Sequence, residues 1–154
     1  MSIFEEQLQK DRANFEPLTP VSFLRRAAQV APSRTAIIHG QRRYSYAQFL
    51  ERSSRLANSL AARGIGPGDC VAIMGANTPE MLEAHNGVPM LGAVLNSLNI
   101  RLDAKTIAFI LDHGEAKALL TDRAFSGVIK EALALTHREM LIIDIDDSES
   151  EGGE

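Results

Sequence analysis

Four short apolar runs stand at nearly equal intervals along the chain: CVAIM centred near residue 72, AVLNS near 95, ALLT near 119 and MLIID near 142. Each step of 23 or 24 residues leaves room for one helix and two loops. A connection between parallel strands needs that much, because the chain must return to the end of the sheet where it began. Runs this short and this uniformly apolar suit strands buried on both faces, so helices must cover the sheet on each side. The cadence therefore predicts an α/β fold, a doubly wound and mostly parallel sheet with flanking helices and right-handed crossovers. The interval is that fold's own step and not a solenoid repeat.

The intervening segments carry helix signals. Thr78 caps and Pro79 opens the first. Asp103 caps the second, with Leu102 and Ile107 as the staple and Gly114 at its end, and Asp122 caps the third. Upstream, LTPVSFLRRAAQVAPSR predicts a short helix with Thr19 as cap, Pro20 in the first turn and an apolar stripe of Phe23, Leu24, Ala27, Ala28 and Ala31, stopped by Pro32. TAIIHGQRRYSY predicts a short β-hairpin turning at Gly40-Gln41. In YSYAQFLERSSRLANSLAARG, Ser45 and Gln48 form a capping box, Tyr44 and Phe49 a staple, and Phe49, Leu50, Ser53, Leu56, Ala57, Leu60 and Ala61 an apolar stripe, with Gly64 closing the helix. The expected organisation is a lead-in over residues 1–18, an α/β unit over 19–145, and a flexible acidic tail over 146–154.

Composition narrows the function classes. The last nine residues hold five acids, and without them the net charge of -4 becomes +1. A nearly neutral body with no basic stripe argues against a nucleic-acid partner. No apolar run approaches the roughly 20 residues of a membrane span, and MSIFEEQLQKDR interrupts any secretory signal, so a cytoplasmic protein is expected. Cys70 is the sole cysteine and sits in an apolar strand, where a buried, inert thiol is expected rather than a nucleophile. His39, His85, His113 and His137 are too far apart for a metal-ligand pair.

GIGPGDCVAIMGANTPE would draw attention as a phosphate cradle. A phosphate loop, however, follows a strand and opens a helix, with lysine after its last glycine; here Gly64, Gly66 and Gly68 follow a helix and precede a strand. A turn is the expected role. Ligands in such sheets bind beyond the carboxyl ends of the strands, which directs attention to Gly75–Thr78 and Asn96–Arg101. The amides from Thr78 to Met81 either receive an anion or are capped by Thr78 itself. Asn96, Asn99 and Arg101 either contact a ligand or serve turns and surface. His85 and Asn86 lie on an otherwise apolar helix that Pro89 should kink, and a satisfied core histidine is the expectation there. No nucleophile–base–acid set and no distinctive pair of carboxylates is present, so no catalytic, cofactor-binding or metal-binding residue is assigned.

Taken in order, the Tyr-Ser-Tyr helix start, Gly-Ile-Gly-Pro-Gly-Asp, the apolar strand, Asn-Thr-Pro-Glu and Gly-Ala-Val-Leu-Asn resemble the amino-terminal part of AMP-forming acyl-CoA synthetases, in the adenylate-forming superfamily. The resemblance covers roughly residues 18 to 145, and AVLNSLNIRLDAKTIAFILDH is most similar to the medium- and short-chain branch that includes methylmercaptopropionyl-CoA ligases. It implies the amino-terminal subdomain of an enzyme that joins a carboxylic acid to ATP, releases pyrophosphate, and passes the acyl group from the adenylate to coenzyme A with magnesium assisting. It also implies that the phosphate loop and the carboxy-terminal lysine lie downstream of the matched region. The chain alone is then expected to be inactive, with no cofactor of its own; ATP, Mg and CoA belong to the complete enzyme. Its partner would be the remainder of the ligase, with room for a homo-oligomer. A stand-alone interaction module that associates with a ligase is the alternative, and a flavodoxin-like small-molecule binder a third.

Overall fold

The computed structural model describes residues 11, 13, 15, 16 and 18–146. Most of the expected lead-in and all of the expected tail after Asp146 lie outside them.

Helix α1 (Pro20–Val30) starts from a reciprocal box between Thr19 and Ser22. Strands β1 (Thr35–His39) and β2 (Arg42–Ser45) form an antiparallel hairpin with His39 opposite Arg42, so the connection is the expected two-residue turn. Gly40 takes φ 52°, which an L side chain adopts only with strain. Helix α2 (Tyr46–Ala61) carries the predicted capping box, Gln48 N to Ser45 Oγ at 3.3 Å and Ser45 N to Gln48 Oε1 at 2.9 Å. Its staple is also in place: Tyr44 and Phe49 share a small apolar cluster with Leu24 and Ile37. Beyond the helix Gly64 reaches φ 85°, and Ile65 N closes back onto the Leu60 carbonyl.

The second half alternates strand and helix: β3 (Cys70–Met74), α3 (Pro79–Met90), β4 (Val94–Ser97), α4 (Ala104–His113), β5 (Ala116–Asp122), α5 (Ser126–Leu135) and β6 (Leu141–Ile145). All four strands pair in parallel in the order β4-β3-β5-β6, each containing or bordering one predicted centre. Burial on both faces explains the uninterrupted apolar run of β3. Val71 and Ile73 enter a core with Leu60 of α2 and Ala84 and Val88 of α3, while Ala72 and Met74 enter another with Ile107 and Leu111 of α4 and Ile129 of α5. Each of these branched side chains contributes roughly 1.5–3 kcal/mol by leaving water.

Three local expectations change. Phe23 is 60% exposed, and Leu24 alone anchors α1, because the helix rests on its neighbours along a narrow line. Asp122 caps a 3-10 turn over Arg123–Phe125 through Ala124 N at 2.9 Å, so α5 begins without a side-chain cap. Gly114 does end α4, but at φ -78°, and Glu115 takes the left-handed step at φ 51°. Gly114 is needed for space instead, since a Cβ there would stand 2.9 Å from the Ile110 carbonyl oxygen and 3.1 Å from Asn96 Nδ2.

Ser53, on the predicted stripe of α2, is fully buried, and its hydroxyl has no hydrogen-bond partner among the described residues. Ser53→Ala removes an unsatisfied polar group and improves helix propensity, so it is expected to raise the unfolding free energy by about 1 kcal/mol. Urea denaturation measures this; a lowered midpoint at unchanged slope would contradict it.

Candidate functional site

The connection from β3 runs towards β4 over one face of the sheet, and the connection from β5 runs towards β6 over the other. Between β3 and β5 the winding reverses, which makes their carboxyl ends the natural crevice of this topology. Its floor is Gly75 beside the buried Thr121 and Asp122. At Gly75 the crevice is narrow: a Cβ there would meet Met81 Cε at 3.6 Å and Asp122 Cβ at 3.7 Å, ordinary contact distances. Two shallow clefts flank it. One of about 360 Å³ lies between β1 and the start of α3, with Ile38 and Leu82 exposed at its lip; the other, about 590 Å³, lies over the ends of β3 and β4 down to Ile100. They share Asn77, Met81 and His85.

His85 is the chemically interesting group, and its environment differs from the expected one. Its ring is exposed rather than in the core. Nδ1 lies 2.9 Å from the Met81 carbonyl oxygen and must donate to it, and Nε2 lies 3.4 Å from Ser97 Oγ. An imidazole beside a serine hydroxyl supplies the base and the nucleophile of a nucleophile–base–acid set. The rest of the set is not seen among the described contacts, because a carbonyl and not a carboxylate orients Nδ1, and no converging amides face Ser97. Asn86 is buried and donates to the Leu82 carbonyl at 3.1 Å. Pro89 falls in the last turn of α3, one residue before the helix stops, and lacks the amide that would bond the His85 carbonyl.

The other candidates make contacts within the protein. Asn96 turns inward to hydrogen-bond Cys70, whose half-buried thiol is pushed up by burial, with the Asn96 bond opposing part of the shift. A raised thiol is a poor nucleophile at neutral pH. Asn99 accepts from Arg101 N at 2.9 Å and closes a turn, and Arg101 is exposed. At the start of α3, Met81 N reaches its own cap Thr78 at 3.4 Å, Pro79 has no amide, and Glu80 brings negative charge.

The glycine-rich turn answers the phosphate question directly. Every amide it has is committed within the protein: Gly64 N to the Ala61 carbonyl, Ile65 N to Leu60, Gly66 N to Asp69 Oδ2 at 2.8 Å, Gly68 N to Gly92 at 2.9 Å and Asp69 N to Gly66. Lys117 pairs with Asp69 at 2.6 Å, and that bond, with the Gly66 amide, holds the carboxyl below its ordinary range. No group of three or more His, Cys, Asp or Glu side chains suited to a metal ion is present among the described residues. The glycine-rich turn, with its amides engaged internally, leaves no free donors for the phosphates of a nucleotide.

Sequence reasoning did not foresee the ion cluster beside the first cleft. Arg42 of β2 pairs with Glu80, Arg52 of α2 grips Glu83 through Nε and Nη2 and lies 3.3 Å from Glu80, and the Arg52 guanidinium sits 4.7 Å over the Tyr44 ring. Hydrogen bonding to Glu83 raises Arg52 above its ordinary range against the opposing effect of burial. Burial pushes the Glu83 carboxyl up, and Arg52 offsets part of that shift. The cluster clamps hairpin, α2 and α3 together. Its only local trace was the i, i+3 pair of acids Glu80 and Glu83 near the start of α3, because its members come from three elements.

Residues 24–153 match the family described as AMP-binding enzyme. The chain is 49% identical over 130 residues to the peroxisomal acetate/butyrate–CoA ligase of Arabidopsis thaliana, covering 84% of this chain and 23% of that protein. It is 46% identical over 134 residues to an acetate–CoA ligase of Humulus lupulus, covering 87% and 24%. Among solved structures, the N-terminal domain of a Mycobacterium tuberculosis protein named FACL13 superposes with TM-score 0.77 at 29% identity, over 84% of this chain and 34% of that one. The O-succinylbenzoate coenzyme A synthetase of Bacillus subtilis, in complex with AMP, gives 0.69 at 32% identity over 79% and 30%. The chain thus spans about a quarter of the length of these curated relatives and corresponds to their amino-terminal part. No helix among the described residues is long and apolar enough to cross a membrane.

Proposed function

The chain belongs to the AMP-binding enzyme family, and on that premise we propose that residues 19–145 form the amino-terminal scaffold of an acid–CoA ligase acting on short carboxylic acids. The observation that carries this reading is the 49% identity maintained over 130 residues with a ligase named for acetate and butyrate. In the proposed whole enzyme, ATP activates the carboxylate as an adenylate with loss of pyrophosphate, and coenzyme A displaces AMP. Its glycine-rich turn does not serve as a phosphate grip, since the amides there are all engaged internally. What it offers is a pair of clefts where Ile38 of the hairpin, Leu82 of α3 and Ile100 beyond β4 stand exposed near His85, an apolar surface suited to packing against the active-site half. The compartment we favour is the cytoplasm. A peroxisomal matrix, the location in the name of the Arabidopsis relative, is the competing site, and imaging of a tagged chain separates the two.

Incubated with ATP, magnesium, labelled pyrophosphate and acetate, butyrate or longer acids, the folded chain is expected to give no exchange above the protein-free blank. Circular dichroism establishes that the sample is folded. Acid-dependent exchange would show that nucleotide phosphates are held by this region itself and would overturn the scaffold reading.

A further inference from the structure

We propose that Ser97 and His85 form an acyl-accepting pair, in which the serine hydroxyl takes the acyl group of an activated short-chain acid and the imidazole takes the hydroxyl proton. This chemistry needs nothing from the ligase reading: acid-dependent pyrophosphate exchange would overturn the scaffold and leave the pair standing. Both residues sit on regular elements. Ser97 is the last residue of β4, in register with Ile73, and the amide that follows it, Leu98 N, bonds the Ile73 carbonyl at 2.8 Å. His85 lies in the middle of α3, where the Met81 carbonyl one turn back accepts from Nδ1 at 2.9 Å and orients the ring. In its neutral form the ring therefore carries its proton on Nδ1, and the lone pair is on Nε2, the nitrogen 3.4 Å from Ser97 Oγ. Nucleophile–base pairs are often this loose without substrate and tighten when it binds. Both residues are exposed, so a reagent reaches them.

The surroundings define the acyl donor. The cleft over the ends of β3 and β4, about 590 Å³, falls within the roughly 300–1,000 Å³ of small-molecule sites. Met81, Leu98 and Ile100 line it with apolar wall for a short hydrocarbon chain, and no lysine, arginine, aspartate or glutamate lines it. Because a carbonyl orients His85 and no converging amides face Ser97, the pair does little for a developing oxyanion or a poor leaving group. Its donors are therefore those whose leaving group departs unaided, namely aryl esters and mixed acyl–phosphate anhydrides. Ser97 Oγ bonds to the acyl carbon while its proton passes to His85 Nε2. The bond from that carbon to the leaving oxygen breaks, the leaving group keeps the electron pair, and the imidazolium gives its proton to water. An acyl ester on Ser97 remains.

Treating the 154-residue chain with p-nitrophenyl butyrate is expected to release p-nitrophenolate and leave a butyryl group on Ser97, located by tandem mass spectrometry of the tryptic peptide that ends at Arg101. Ser97→Ala should remove that label. His85→Gln should slow labelling at least about tenfold with the circular dichroism unchanged, since a positioned base contributes roughly 10²–10⁴-fold. Ser33 is also exposed and makes no described contact with a histidine, so it serves as the internal control and should react at least about tenfold more slowly than Ser97. If His85→Gln does not fold, the ratio of label at the two serines of the parent decides. A parent labelled no faster at Ser97 than at Ser33 overturns the proposal. So does folded His85→Gln that labels Ser97 at the parent rate, or p-nitrophenolate release undiminished in Ser97→Ala, which would make the imidazole itself the nucleophile.

Discussion

Arg52→Met will lower the unfolding free energy by roughly 3 kcal/mol at neutral pH, the low end of what breaking a buried ion pair costs, because the guanidinium is partly in water while the carboxylate is not. The Glu83 side chain is only 8% exposed against 35% for Arg52, so removing the arginine strands a charge that solvent barely reaches. Replacing both partners, Arg52→Met with Glu83→Met, should cost less than the single change, since nothing charged is then left behind. The deficit will also depend on pH. Burial holds the Glu83 carboxyl above the ordinary glutamate value near 4.5, so the folded chain binds this proton more tightly than the unfolded chain. Stability from this group is therefore fully present below about pH 4.5 and is lost as pH rises through the raised folded value. Without Arg52 to pull the carboxyl back down, that window extends further upward. Urea titrations of parent and variant at pH 7 and near pH 4.5 should show the gap narrowing in acid, and an equal gap at both would show that Glu83 is not the stranded charge.

Gly87→Leu will cost more than about 3 kcal/mol, and Gly87→Ala about 2, even though alanine gains up to ~1 kcal/mol of helix propensity over glycine. A Cβ at this position of α3 would stand 2.7 Å from the Ser53 carbonyl oxygen and 3.2 to 3.3 Å from Leu56. The nearest atom is main chain inside α2, so relief requires the two helices to part and opens the core around Leu60, Ala84 and Val88. For a chain of this length the alanine variant should melt about 4 to 8 °C lower. Ser53→Ala should not rescue it, because the side chain is not what collides. An alanine variant as stable as the parent would mean that α2 and α3 are free to shift apart, contrary to the packing described.

What could be read in the sequence was local or periodic. The Ser45–Gln48 box, the Tyr44–Phe49 staple, the Gly40-Gln41 turn and the strands near 72, 95, 119 and 142 depend on residues a few positions apart, or on whether a run is apolar throughout. The family likeness was legible for a related reason, since it lay in the order of such local pieces. The candidate site was less legible. His85 read as a core residue because its helix is apolar, yet α3 turns that position outward over the strand ends. Asp122 read as the cap of α5 because spacing cannot distinguish a 3-10 turn from the first turn of the helix that follows.

Sequence alone determined the order of strands and helices, where most of them begin, and that a sheet buried on both faces must organise them, because backbone hydrogen bonding and apolar periodicity act over a few residues. Only the tertiary structure decided that β3 lies between β4 and β5, that Gly87 must be bare where two helices touch, and that arginines from a hairpin and a helix meet acids about 30 to 40 residues away. Those outcomes depend on which surfaces come within a few ångströms of each other. Contact energies fall off over that distance in space, whatever the separation along the chain.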